Sequence, residues 1–289
     1  MINPSTAIVV DSSVSLPNQL IDKLPLILVP FEIHHGLNVY RDGVDISPAH
    51  FYHLQSLEQP LPITSAPSPE EFMKAFKKAS EISKEIICLT LSKDLSATYQ
   101  AASLAYDEMK KAFPSFKVTL IDTNTAAAAE GLIALNAARL SANGVPTEKV
   151  IQSINDGIDK IKFIGRINTF YYVWKSGRLH RAGHVLGTML NIKPILDLES
   201  GKVGIIAKPR GNNKSFKLLV DLIKKQMGVR KSRLLVVHAH ALDKAQDLAA
   251  RLEGSGNIEE LILTEFTPVI GAHTGPGLIG CAIEPLDSV

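Results

Sequence analysis

The side chains of this sequence best suited to chemistry are hydroxyls, cations and histidines. Thr64, Ser65 and Ser68 fall in the run Thr64-Ser65-Ala66-Pro67-Ser68-Pro69, just ahead of a segment with Phe72 and Phe76 one helical turn apart. Ser68 followed by Pro69 reads as an N-cap and first helical residue. Thr64 and Ser65 lie too far upstream for that task, and hydroxyls left over beside a helix start can bind an anion. Ser96, in Leu95-Ser96-Ala97-Thr98-Tyr99-Gln100, stands at a strand-to-helix junction. There it either caps the helix or, with free N–H groups behind it, holds a carboxylate or phosphate. A nucleophilic Ser96 would need a base held by a third group. Asp94–Thr98 lacks the glycines of a nucleophile elbow, and His273 is a candidate base that nothing local ties to Ser96.

The remaining motifs divide in the same way. Arg178 follows the aromatic stretch 170–174 and Arg210 follows Lys208-Pro209; each is either a surface cation or part of an anion site. Gly275–Gly280 matches G-x-G-x-x-G formally, but a dinucleotide loop needs a helix after it, and Cys281-Ala282-Ile283 reads as a strand. A tight turn bringing backbone close to a ligand, with His273 and Thr274 beside it, fits better. His180 and His184 at i, i+4, and His238 and His240 at i, i+2, have no Cys or carboxylate at ligand spacing, so no metal site is expected. Ala126–Ala129 is helix filler that also leaves room along one side for a ligand.

Alternating strands and helices must position these residues. Apolar runs predict strands at 6–10, 26–33, 85–91 and 117–121, with helices opening at Pro69, after Ser96, and from about Thr125 to Leu140 before Asn143-Gly144. Tyr40–Gly43 completes a hairpin-like pattern. One face of the helix after Ser96 is expected to carry Ala101, Leu104, Ala105, Met109 and Ala112. From about residue 160 the texture changes: 192–198 and 203–207 flank Glu199-Ser200-Gly201-Lys202 as an antiparallel hairpin, followed by helices at 215–227 and 242–252 around a strand at 234–237. The expectation is an α/β fold of two domains, 1–160 with a mostly parallel sheet and 161–289 with a mixed one, and a ligand in the crevice between them.

Composition removes several function classes. The 289 residues are 45% hydrophobic and 21% charged, with a net charge of +2, which offers no electrostatic field for nucleic acid or for a membrane surface. The longest apolar run, near Leu26–Phe31, is broken by Pro25 and Pro30 and is too short to span a bilayer. Cys88 and Cys281 read as buried strand residues rather than a disulfide framework. No basic segment with an apolar stretch opens the sequence, so the expected location is cytoplasmic.

Taken together the motifs resemble the DegV family in order and over nearly the whole chain. The matching pieces are Val10-Asp11-Ser12-Ser13, Val29-Pro30, Tyr40–Ile46, Thr64–Ser68, Leu95–Gln100, Ile121-Asp122, Ser176–Leu179, Leu186–Leu196 and Pro268–Gly277. The resemblance implies a protein that binds a long-chain fatty acid and catalyses nothing itself, needs no other cofactor, and presents the acid to a separate ATP-dependent fatty acid kinase. It implies that Thr64 and Ser96 bond the carboxylate, with Ser65 beside them and Arg178, Arg210 and His273 as a polar shell. Ala97 stands where the family usually has Gly, Ser176 replaces the first Gly of a Gly-Gly-Arg, and Gly211-Asn212-Asn213 replaces basic or hydroxyl residues. Two other readings stay open: a lipid-ester hydrolase with Ser96 as nucleophile, and a carrier of another small anion.

Overall fold

The computed structural model describes residues 4–57, 60–179, 191–255 and 257–286. In chain order the strands are β1 (Ala7–Asp11), β2 (Leu26–Val29), β3 (Glu32–His35), β4 (Asn38–Arg41), β5 (Ile63–Ser65), β6 (Ile86–Thr90), β7 (Val118–Asp122), β8 (Lys162–Arg166), β9 (Ile195–Glu199), β10 (Lys202–Ala207), β11 (Ser232–His238), β12 (Ile258–Glu265) and β13 (Ile279–Pro285). The helices are α1 (Asn18–Ile21), α2 (Pro48–Ser56), α3 (Pro69–Ile82), α4 (Thr98–Ala112), α5 (Ala127–Ala142), α6 (Thr147–Lys160), α7 (Tyr171–Lys175), α8 (Asn212–Met227), α9 (Leu242–Glu253) and α10 (Pro268–Thr274).

The N-terminal part carries a parallel sheet of order β2-β1-β6-β7, and the C-terminal part a mixed sheet of order β10-β9-β8-β13-β11-β12. A small antiparallel sheet, β4-β3-β5, stands apart from both. The apolar run 26–33 therefore does not form the single strand its composition suggests. Pro30 has no N–H to continue the ladder, and the Phe31 N–H donates to Ser12 Oγ at 3.1 Å. The run thus breaks into β2 of the parallel sheet and β3 of the small one.

Helix α5 joins the two large sheets. Twelve of its sixteen residues are buried, which leaves it without a solvent face. It packs on β1 and the turn Ser12–Val14 from one side and on β8, β11 and β13 from the other. Only a helix built from Ala, Gly and a few Leu and Ile can approach two sheets this closely. At Gly131 an added Cβ would lie 2.3 Å from the Val14 carbonyl oxygen. Around this contact the apolar core runs without a break from Ile8, Val10 and Leu89 through Leu132 and Leu135 to Leu235, Val237 and Ala282. Separate cores lie outside it, one under α3 and α4 and one under α8 and α9.

Polar contacts fix the same joint. Arg139 on α5 donates to both carboxylate oxygens of Glu260, at 2.7 and 2.6 Å, in a bidentate pair. Arg233 bonds Glu260 and Glu284, and Asn136 on α5 donates to Glu284 at 2.7 Å. The β9–β10 hairpin turns at Ser200 and Gly201, whose φ values of 49° and 77° are those of a type I′ turn. Its tip lies against the loops after β6 and β7, where a Cβ on Gly201 would meet Ser92 Oγ at 2.4 Å.

One expectation shifts in detail. On α4 the buried stripe is Thr98, Ala101, Ala102 and Ala105, while Leu104 is 52% exposed. Helix α6, with Val150, Ile154 and Gly157 inward, has an i, i+4, i+7 pattern that the sequence carried and the reading above passed over. Among the described residues no helix is long and apolar enough to cross a membrane.

Replacing Gly131 by Ala is expected to lower unfolding free energy by about 2–3 kcal/mol, because the clash is with backbone. Urea denaturation of the two proteins, with unchanged m-value, measures it.

Candidate functional site

The chain crosses from parallel to mixed sheet beside α5, and a cavity opens there. Its volume is about 880 Å³, including the part open to solvent. The wall is mostly apolar: Phe31, Leu91, Leu95, Ala126, Ala127, Phe163, Val173, Leu196, Leu198, Val203, Phe266, Val269, Ile270 and Leu278. The small residues at the start of α5 form one side, and Ala127 adopts a φ of 57°, a left-handed conformation uncommon for a residue with a Cβ. Strain of this kind clusters at ligand sites.

Polar groups line this wall too: Ser13, Thr64, Ser96, Arg178, Asp197, His273 and Thr274. Thr64 is the middle residue of β5, paired with Ile33 of β3. Its Oγ1 lies 2.9 Å from His273 Nε2, at the last turn of α10. Burial and then the nearby Arg178 charge hold the His273 pKa down at about 4, so the ring is neutral at physiological pH. A neutral imidazole and a hydroxyl own two exchangeable protons between them, and their mutual bond uses one. When the ring donates from Nε2 to Thr64 Oγ1, the Thr64 hydroxyl proton stays free for an acceptor in the cavity. His273 Nδ1 is buried and has no partner among the described residues. Ser96 lines the same cavity, with its Oγ 2.8 Å from Thr98 Oγ1. It is not the cap of α4: the N-cap position is Ala97, and no side chain caps that helix. Arg178 lies at the rim, donating from Nε to the Leu95 carbonyl at 3.4 Å and from Nη1 to the Ser176 carbonyl.

Four of the six expected site residues, Thr64, Ser96, Arg178 and His273, thus line one cavity. Ser65 and Arg210 do not. Strand alternation turns Ser65 away from Thr64, and its exposed hydroxyl lies 2.8 Å from His34 Nε2. Arg210 is exposed beyond β10, where it forms an isolated bridge with Ile192 ahead of α8. Helix α10 needed no special signal to place His273: Pro268 opens it, and Gly275, at φ 72°, ends it with no room for a Cβ against the Tyr172 ring. The glycine run then continues into strand β13, not into a helix, so no dinucleotide loop forms. His238 is buried with Nδ1 3.7 Å from Glu265, and His240 stacks on Tyr52 at 5.5 Å. Among the described residues no cluster of three or more metal-ligating side chains occurs. His180 and His184 lie outside the described residues.

Sequence reasoning missed the acidic floor. Ser13 lines the cavity and donates from Oγ to Glu130 Oε2 at 2.7 Å. Glu130 is fully buried on α5, and Asp11 is fully buried beside it, accepting from the Leu91 and Ser13 N–H groups at 2.9 and 3.0 Å. Burial pushes both carboxyls up, and the neighbouring Asp11 charge pushes Glu130 further. Nearby, Asp42 accepts from Ser12 Oγ at 2.6 Å and the Val269 N–H at 3.4 Å, and burial raises its pKa to about 7. Asp42 thereby ties the hairpin loop after β4 to the first turn of α10.

Comparison with known proteins places this geometry. Residues 5–286 match the profile of a family described as uncharacterised proteins of the DegV family. The chain belongs to the DegV family. A DegV domain-containing protein of Caldanaerobacter subterraneus is 30% identical over 279 residues, covering 96% of this chain and 98% of that protein. A DegV family protein from Thermus thermophilus, described as binding fatty acid, has a structure with TM-score 0.89 and 29% identity, covering 97% of this chain and 99% of that one. A Thermotoga maritima protein described as revealing fatty acid binding function has TM-score 0.86 and 28% identity, with 98% and 100% coverage.

The Asp42 carboxyl gives a pH test. Its folded pKa of about 7 exceeds the ordinary 3.8, so the native state holds a proton that the unfolded state releases between these values. Its contribution is therefore most favourable below the lower value and is lost as pH rises through the higher. Asp42→Asn should leave stability nearly unchanged at pH 4 and raise it by about 2–4 kcal/mol above pH 8. Urea denaturation across that range checks the slope.

Proposed function

We propose that this protein binds a long-chain fatty acid, with the acyl chain in the apolar cavity and the carboxylate at Thr64, His273 and Ser96. The observation that carries the reading is the Thr64–His273 hydrogen bond on the wall of a mostly apolar cavity. Burying methylenes contributes about 0.8 kcal/mol each, and the carboxylate must find donors or forfeit several kcal/mol. A neutral His273 beside a threonine hydroxyl and a serine supplies donors without placing a second buried charge in the free protein. The fatty-acid binding described for the Thermus and Thermotoga relatives supports the assignment.

The protein acts as a carrier that presents the acid to a separate ATP-dependent kinase for acyl phosphate formation, in the cytoplasm. A second pocket, lined by Leu61, Ile63, Tyr172 and Lys175, shares Thr64, Arg178 and His273 with the cavity, which supports a carboxylate there being reached by a partner from that side. The hydrolase alternative has less support. Ser96 is bonded to Thr98, His273 to Thr64, and His273 Nδ1 has no orienting carboxylate among the described residues.

Protein purified from a bacterial host is expected to release fatty acid on organic extraction, detected by mass spectrometry; folded protein carrying none would sink the assignment. Thr64→Ala and Ser96→Ala should each lower fatty-acid affinity about tenfold to a hundredfold, alike for short and long chains, since each removes a bond to a charged acceptor. Ser65→Ala should leave affinity unchanged. With a cognate fatty acid kinase, wild type should support acyl phosphate formation. His273→Ala should reduce that turnover more than it reduces binding, and alone none of these proteins should hydrolyse lipid esters.

A further inference from the structure

The mixed sheet has a second face, and a cation is buried there with no counter-charge among the described residues. Alternation along β8 sends Phe163 to the cavity side, whereas Ile164 belongs to the core under α8 and α9. Arg166, two residues on, shares that outer face. It is 1% exposed, the largest of the fully buried side chains. Its Nη1 reaches Ser215 Oγ at 3.4 Å, in the first turn of α8, while Nε and Nη2 have no hydrogen-bond partner among the described residues. Arg166 pairs with Ile279, and Ile279 with His238, so it sits at the end of the interior strand β8, level with the end of β11. Among the described residues no side chain caps α8, whose N-cap is Gly211, and Ser215 spends its hydroxyl on the Asn212 carbonyl. The first-turn N–H groups, which a helix leaves without an intrahelical partner, lie at the same helix end as Ser215.

The surroundings deepen the deficit of negative charge. Lys193 is hydrogen-bonded to the side chain and carbonyl of Asn168, and burial, then the nearby Arg166 and Lys244 charges, disfavour its charge. Burial is what disfavours the Arg166 charge, with no carboxylate acting against it. Residues 180–190, which lie outside the described ones, contain no Asp or Glu in sequence. A guanidinium stays charged at any ordinary pH, and an uncompensated buried charge costs several kcal/mol. A helix N-terminus with a buried, half-unpaired arginine is a built anion receptor.

We infer that the N-terminus of α8, Ser215 and Arg166 form an oxyanion site for a phosphate group, on the opposite face of the mixed sheet from the fatty-acid cavity. Arg166 offers Nε and Nη2 in a fork that matches two oxygens of a tetrahedral anion, and the N–H groups of Asn212 and Asn213 meet a third. Lys193 adds long-range attraction from the Asn168 side.

The test titrates inorganic phosphate into wild type, Arg166→Met and Ser215→Ala near neutral pH, with chloride holding ionic strength constant. Thermal denaturation and the ³¹P linewidth are followed together. Wild type should be stabilised by phosphate and not by chloride, and should broaden the ³¹P signal. Arg166→Met should weaken binding by about tenfold or more, and Ser215→Ala by a few-fold. Without phosphate, Arg166→Met should be no less stable than wild type, because the cation it removes has no counter-charge. Glycerol phosphate in place of phosphate separates the sources: an equal response marks a site open to phosphate esters, and a response to inorganic phosphate alone marks a closed one. Equal phosphate responses in wild type and Arg166→Met, or no phosphate-specific response in wild type, overturn the inference. Should Arg166→Met fail to fold, the wild-type ³¹P titration and Ser215→Ala decide it.

Discussion

Everything in this protein depends on one close contact, the burial of α5 between two sheets. A helix covered on both sides cannot carry large side chains where backbone meets backbone, and Gly131 against the Val14 carbonyl is the tightest such point. The contact fixes the separation of the sheets. That separation sets the width of the cavity bordered by Ala126 and Ala127, and so the kind of ligand that fits beside the helix. Small residues here serve two ends at once, close packing along the helix and open volume at its start.

The same helix brings a carboxyl group into the floor. Glu130 is buried because α5 has no solvent face; Ser13 bonds it, and burial with the Asp11 charge pushes its carboxyl pKa up. Elsewhere on the wall His273 is kept neutral by burial and the nearby Arg178 cation. The proposed site would thus offer neutral donors to a carboxylate, with Arg178 at the rim. An arrangement of this kind favours binding of an anion without strong repulsion or attraction deep in the cavity when it is empty.

The two faces of the mixed sheet have divided roles. Its inner face, through Phe163, Leu196 and Leu198, walls the cavity. Its outer face packs α8 and α9 and holds Arg166 beneath the start of α8. Period-two alternation makes this separation automatic: neighbouring residues of β8 serve different sites although they are joined by a single peptide bond. A substitution at Arg166 can therefore be examined without touching the apolar cavity.

The sequence by itself determined those features that are set by neighbours along the chain. Alternation and apolar runs gave most strands, Ser68 with Pro69 started α3 by capping the Glu71 N–H, and Ser200-Gly201 formed the hairpin turn because adjacent residues can adopt positive φ there. The sequence reading, with the family resemblance, named Thr64, Ser65, Ser96, Arg178, Arg210 and His273 as candidates, of which Thr64, Ser96, Arg178 and His273 line one cavity. What the tertiary structure alone decided is which of these side chains meet. Thr64 and His273 are 209 residues apart, Ser13 and Glu130 are 117 apart, and Asp42 reaches Val269 across 227. No local pattern encodes such distances, because they follow from how the two sheets close on α5. The tertiary structure likewise turned Ser65 outward, since adjacent strand residues face opposite ways. It also gave Arg166 a buried place that composition would never assign to an arginine, because the face a strand residue occupies depends on what packs over it.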